Sequence, residues 1–78
     1  MPTIAKIGPH RFFFYSNEGA EPRHVHVARE SRLAKFWLEP VTLAASSGYG
    51  SHELRDIERV IREHQLAFIE AWDEFFGN

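Results

Sequence analysis

Cysteine is absent from the 78 residues of this sequence. Disulfides and zinc sites built from thiolates are therefore both excluded. The sequence also lacks any apolar run near the ~20 residues that a membrane-spanning helix needs. Its first residues, Met1 to Lys6, do not form the apolar segment of a signal peptide. These absences predict a cytoplasmic protein with no contact to a membrane.

Motifs that mark common enzyme classes are missing as well. The sequence has no glycine-rich phosphate loop, no nucleophile elbow, no Cys-His pair and no helical His-Glu-x-x-His. A chain of this length buries only ~60% of its unfolded surface and forms one domain. We therefore expect a single domain over residues 1–78 without an organic cofactor. A divalent metal ion stays open as an alternative.

An excess of positive charge is also lacking. Nine Lys and Arg residues stand against eleven Asp and Glu residues, for a formal charge of −2. Strong sequence-independent binding of nucleic acid needs many phosphate contacts from Lys and Arg. Nucleic acid is therefore not favoured as a partner. The apolar content of 44% and the aromatic content of 14% are typical of a chain that folds.

Runs of β-branched and aromatic residues between turn signals predict several short strands. We place four of them at residues 3–7, 11–16, 23–29 and 34–38. Residues 41–44 form either an edge strand or a connector, because Glu39-Pro40 interrupts the pairing before them. Residues 45–50, which include two serines and two glycines, are predicted to be a flexible loop.

The last third of the chain carries the periodicity of a helix. Apolar or aromatic side chains recur at steps of three or four from Leu54 to Phe75, and Ser51 is a suitable N-cap. Leu66, Ile69 and Phe76 lie off this stripe. Either they wrap over an edge of the sheet, or they contact a partner or a second copy of the chain.

Together these elements predict an α+β fold. A small antiparallel sheet of three to five strands, over about residues 3–44, packs on one long C-terminal helix, over about residues 52–76.

His24 and His26 form the one polar pair whose spacing suggests chemistry. Side chains alternate along a strand, so Val25 and Val27 face the core and both imidazoles face the other side. The two rings can bind one metal ion, with Glu18, Glu21 or His10 as a third ligand. They can instead act as the acid and the base of a phosphodiesterase. In the third interpretation, each ring is held by a carboxylate or a main-chain carbonyl and has no chemical role.

Lys35 and Trp37 are predicted to share the face with the two histidines, and either Tyr15 or Phe13 is expected to join them. Arg11, Arg23 and Lys35 can hold a phosphate. Trp37, Lys35 and Tyr15 have the composition of a protein-binding hot spot, in which Trp, Tyr and Arg dominate. With a net charge of −2, we favour a protein partner over RNA for this surface.

Four segments follow one another along the chain: MPTI at residues 1–4, FFFYSNE at 12–18, PRHVHV at 22–27 and AKFWLEPV at 34–41. Together with the late Trp72 they resemble DUF4160, a small bacterial family catalogued as a domain of unknown function. The resemblance implies a component of a compact two-gene locus, suspected to be a toxin–antitoxin module. It also implies a small protein encoded by the neighbouring gene as the partner. It assigns no role to either histidine.

Two hypotheses follow for the function. In the first, the chain is an interaction protein that binds its neighbour through the late helix and the Trp37 face, with a homo-oligomer as a further option. In the second, it is a small ribonuclease-like or metal-assisted phosphodiesterase toxin that uses His24 and His26. Whether the protein is an enzyme is left open by the sequence.

Overall fold

A computed structural model, which describes residues 3–77, contains five strands followed by two helices. The elements are β1 (Thr3–Ile7), β2 (His10–Phe13), β3 (His24–Arg29), β4 (Arg32–Leu38), β5 (Val41–Ser47), α1 (Ser51–Glu63) and α2 (Gln65–Phe76).

The five strands form one antiparallel sheet in the order β1-β2-β3-β4-β5. Neighbours in sequence are neighbours in the sheet because three of the four connections are short turns. Gly8, with a φ of 58°, and Glu30, with a φ of 56°, take the left-handed conformation at the β1–β2 and β3–β4 turns. The predicted α+β class with an antiparallel sheet is confirmed.

The β5 strand is longer than predicted. Residues 45–47 extend it, where the sequence predicted a flexible loop, and they pair with residues 33–35 of β4. Serine is common in loops, but here a complete partner strand supplies hydrogen bonds to the backbone. The cross-strand pairing therefore decides the structure of this segment.

One face of the sheet forms the core with the two helices. Val25 of β3 pairs with Phe36 of β4, and both are fully buried. Directly paired residues project to the same face of a sheet. The buried cluster includes three further strand residues, four helix residues and four from connections or strand ends: Phe12, Val27, Ala34, Ile57, Ile61, Phe68, Trp72, Phe14, Leu38, Val41 and Tyr49. We call the opposite side the open face.

The prediction of one long C-terminal helix is wrong, because the helix breaks at His64. This residue has φ −112° and ψ 14°, outside the helical region. A straight helix over residues 51–76 would be ~39 Å long, whereas the largest extent of the whole Cα trace is 33 Å. The break shortens the helical region. At the start of α2, the Gln65 side chain donates to the Leu38 carbonyl at 2.6 Å. Within residues 3–77, neither helix has the length and apolar character needed to cross a membrane.

Two smaller helix predictions also change. Gly50, not Ser51, is the N-cap residue, and its N–H donates to the Glu53 carboxylate at 3.3 Å. Of the off-stripe residues, Ile69 and Phe76 pack against the core, whereas Leu66 is 70% exposed. The wrapping interpretation therefore describes two of these three side chains.

Candidate functional site

The loop between β2 and β3, residues 14–23, folds back over the open face near the start of β3. It is held against the C-terminal end of α2, where Gly19 lies next to the Phe76 ring. A Cβ atom at position 19 would come within 2.6 Å of a ring carbon of Phe76, so this close approach requires glycine. The loop thereby brings Glu18 to the two histidines of β3.

One oxygen of Glu18 contacts both imidazoles. Glu18 Oε1 lies 2.8 Å from His24 Nε2 and 2.6 Å from His26 Nε2. The ligand atoms of the three residues all lie within 4.8 Å of one another. Of the three carboxylate or imidazole groups considered as a third ligand, Glu18 is the one that the fold brings to the histidines.

The other two candidates are engaged elsewhere. Glu21 accepts a hydrogen bond from Lys35 Nζ at 2.7 Å. His10 begins β2, and its Nδ1 atom lies 3.0 Å from the Tyr49 hydroxyl. The site therefore has one carboxylate and two imidazoles, which we call the Glu18 cluster.

His24 and His26 lie on the face opposite Val25 and Val27, as their alternation predicts, but their exposure differs. His26 keeps 13% of its side chain exposed. His24 has no exposed surface, because the loop covers it and the Trp72 ring of α2 lies 4.7 Å from its ring centroid. Only His26 can contact a molecule in solvent without a movement of the loop.

Aromatic contacts hold the His26 ring in place. Phe13, its cross-strand partner in β2, stacks on it with centroids 5.5 Å apart, and Tyr15 meets it edge-on at 4.5 Å. Rings restrained in this way have little freedom to rotate away from Glu18.

Both nitrogens of His24 face hydrogen-bond acceptors. Its Nδ1 lies 2.9 Å from the main-chain carbonyl of Pro22, and its Nε2 faces Glu18. A carbonyl and a carboxylate are hydrogen-bond acceptors, so the surroundings of His24 favour donation from its ring.

Burial and the contacts within the cluster shift two pKa values. Burial alone would raise the pKa of Glu18, but the hydrogen bonds from His24 and His26 outweigh burial and hold this pKa below its ordinary value. Burial lowers the pKa of His26, although the hydrogen bond to Glu18 acts in the opposite direction. Near neutral pH, Glu18 is therefore ionised and His26 is neutral.

The predicted phosphate-binding residues lie near the cluster, but two of them are paired with carboxylates. Arg23 forms a two-point contact with Asp73 of α2, at 2.7 and 3.0 Å, and a third contact with Glu39 at 3.1 Å. Lys35 is paired with Glu21. A phosphate would have to displace these carboxylates before it could bind.

The other predicted surface residues are distributed along the open face. The Arg11 guanidinium lies over the Phe13 ring at 4.4 Å, and Lys35 Nζ lies 4.7 Å from the Trp37 ring centroid. Tyr15 is 37% exposed. These contacts are cation–π pairs on a surface that remains accessible.

A shallow groove adjoins the cluster on the open face. It runs from His26 to the β5 edge and is lined by Tyr15, His26, Leu33, Ala34, Lys35, Ala45, Ser46 and Ser47. The β5 residues of this lining were predicted to be a loop, so the sequence interpretation missed them. It also missed Asp73, because nothing in a helical charge pattern indicates a pair with a residue fifty positions earlier.

A protein-family model matches most of the chain. The family model described as "Domain of unknown function (DUF4160)" matches residues 10–73, which include β2 to β5, the Glu18 cluster and most of both helices. Neither the search of curated proteins nor the search of solved structures returned a match. The chain belongs to the DUF4160 family of domains of unknown function.

Proposed function

We propose that this DUF4160 domain is an interaction protein, one half of a toxin–antitoxin-like two-gene module in the bacterial cytoplasm. Its partner is the small protein encoded by the neighbouring gene. The observation that carries the proposal is the unprotected outer edge of β5.

Within residues 3–77, the β5 strand ends the sheet and pairs with β4 alone. Six of its seven residues, all those after Val41, are exposed. Its sequence, VTLAASS, contains no charged residue and no proline within the strand. Soluble proteins usually protect a free edge with lysine, proline or a covering segment. An uncharged, exposed strand of this length supports the addition of a strand from a partner.

The groove beside β5 supports the same mode of binding. Leu33, which lines the groove, is 45% exposed and offers apolar contact area near the edge. Lys35 and Tyr15 add a cation and an aromatic ring to the groove. Main-chain hydrogen bonds along an added strand supply affinity, and contacts to its side chains supply specificity.

Co-expression with the neighbouring gene product tests this proposal. We expect the two proteins to co-purify, and we expect Ala45→Glu to reduce the recovered partner at least ~10-fold, because it places a charge at the edge. Ala67→Glu is the matched control, since Ala67 is an exposed alanine on α2. It should leave co-purification intact.

Two outcomes would overturn the edge as the binding surface. One is a complex that tolerates Ala45→Glu but is lost with Leu66→Glu, which would move the interface to the late helix. The other is a stable homodimer, seen by sedimentation, that Ala45→Glu dissociates and that excludes the partner. Two proteins that elute separately would remove the interaction proposal altogether.

A second candidate function is a small ribonuclease-like or metal-assisted phosphodiesterase toxin. The observation that favours it is the Glu18 cluster, because a carboxylate with two imidazoles can serve in acid–base or metal-assisted hydrolysis. The pairing of Arg23 and Lys35 with carboxylates weighs against it.

Expression in a bacterial host distinguishes this candidate. If the protein is a catalytic toxin, expression should arrest growth, and His26→Ala should relieve the arrest because His26 is the accessible imidazole of the cluster. His52→Ala, at a histidine whose side chain is 89% exposed, should leave the arrest unchanged. Arrest that persists in a His26→Ala protein with a wild-type circular dichroism spectrum would eliminate the catalytic role.

A further inference from the structure

We propose that Glu18, His24 and His26 form a binding site for one divalent transition-metal ion of the zinc type. The proposal does not depend on either function above. It is based on the convergence of three ligand atoms and on the contacts of His24.

The ligand set matches this class of ion. Two imidazole nitrogens with one carboxylate oxygen suit zinc, which binds nitrogen and oxygen at ~2.0–2.2 Å. Magnesium and calcium prefer oxygen ligands throughout, so they are poor candidates for a site with two imidazoles. Three protein ligands leave one tetrahedral position for water or for another ligand.

Binding of an ion would change the distances among the three ligand atoms. Ligands of one tetrahedral ion at those bond lengths lie ~3.3–3.5 Å apart, and Glu18 Oε1 now lies 2.8 and 2.6 Å from the two Nε2 atoms. Glu18 belongs to a loop, whereas both histidines belong to the central strand β3. A tetrahedral ion would need the carboxylate to retreat from both rings, and it would need the two imidazole nitrogens, which lie within 4.8 Å of each other, to reach the same ~3.3–3.5 Å separation.

The contacts of His24 resemble those of a metal ligand. Metal-bound histidines usually donate their other ring N–H to a carbonyl or carboxylate, which fixes the tautomer and the ring orientation. His24 makes this contact from Nδ1 to the Pro22 carbonyl at 2.9 Å, while its Nε2 faces the proposed ion.

The nearby cations Arg23 and Lys35 leave the Glu18 carboxylate to the two histidines. Within residues 3–77, the ion pairs of Glu18 are made with the two histidines alone. The nearby cations Arg23 and Lys35 are each paired with another carboxylate. The groove that adjoins His26 provides access from solvent.

The expected consequence of binding is a firm attachment of the loop to the sheet. Small domains without disulfides commonly use a metal ion for this purpose, and the free energy of metal binding then adds to folding stability. At a free zinc concentration 100-fold above Kd, the melting temperature should rise by ~10–20 °C.

The test uses the full chain without a histidine tag, freed of metal with a chelator. Calorimetric titration with Zn²⁺ should give a stoichiometry of one, and Co²⁺ should give the visible absorption of a tetrahedral complex. Mg²⁺ should give neither heat nor a shift in melting temperature. Glu18→Gln and His26→Gln should each weaken Zn²⁺ binding by more than ~10-fold.

Matched controls separate this site from adventitious binding. Glu21→Gln changes a carboxylate of the same loop, and His52→Gln removes an exposed histidine beside Asp56. Both should bind Zn²⁺ like wild type. The proposal is overturned if the wild type shows no binding with a stoichiometry of one. It is also overturned if the folded Glu18→Gln and His26→Gln variants bind with unchanged affinity, or if His52→Gln abolishes binding.

Discussion

Replacing Glu18 with alanine should lower the free energy of unfolding of the metal-free protein by about 2–4 kcal/mol. The substitution removes the acceptor for two imidazoles at once, and His24, which has no exposed surface, cannot turn to water instead. A buried donor left without a partner costs about 1–3 kcal/mol, and loss of a charged partner costs more. Urea unfolding in the presence of a chelator, followed by tryptophan fluorescence, measures the change.

Glu21→Ala is the matched control for this prediction. Glu21 belongs to the same loop and also forms an ion pair, but its side chain is 39% exposed and that of its partner Lys35 is 22% exposed. Exposed pairs contribute about 0–1 kcal/mol, so Glu21→Ala should have a small effect. Equal losses in the two variants would mean that the cluster is no more important to the fold than a surface ion pair.

Replacing Trp72 with alanine should have the largest effect of all, about 3–5 kcal/mol. The Trp72 side chain is 1% exposed and lies between the core and the site, with its centroid 5.3 Å from Phe14, 4.2 Å from Phe76 and 4.7 Å from His24. A single core in a domain of this size supplies little more than ~3–5 kcal/mol of stability. We therefore expect loss of the cooperative thermal transition, measured by circular dichroism.

Trp37→Ala tests whether the loss comes from the position or from the residue type. Trp37 lies on the open face and is half-buried, so its truncation should cost only about 1 kcal/mol and should leave a cooperative transition. A Trp72→Ala protein that melts as cooperatively as the Trp37→Ala protein would contradict the assignment of Trp72 to the core.

Both predictions concern the region where the loop over residues 14–23 contacts α2 and the sheet. Gly19, Glu18 and Glu21 hold the loop over residues 14–23 to the late helix and to β3 and β4. Arg23 joins the end of this loop to Asp73 of α2. An ion at the Glu18 cluster would strengthen this attachment, while the free edge of β5 lies across the open face and remains available to a partner.

Local patterns in the sequence were sufficient for most elements. The alternation in residues 24–27 predicted which side chains of β3 face the core, since a strand has a period of two whatever its neighbours are. The spacing of Ile57, Ile61, Phe68 and Trp72 predicted a helical stripe for the same kind of reason. The helix break at His64 was missed, because no helix-breaking residue marks it, and the contact of Gln65 with the Leu38 carbonyl joins residues 27 positions apart.

The sequence by itself determined the periodic elements, the faces they bury and the presence of an imidazole pair on the face away from the core. Only the tertiary structure decided that Glu18 meets that pair, that Arg23 and Lys35 are paired with carboxylates, and that residues 45–47 complete an edge strand. Periodicity is a property of neighbouring residues and is visible in the chain. The position of a loop carboxylate depends on how that loop packs against a distant helix, which no short-range pattern encodes.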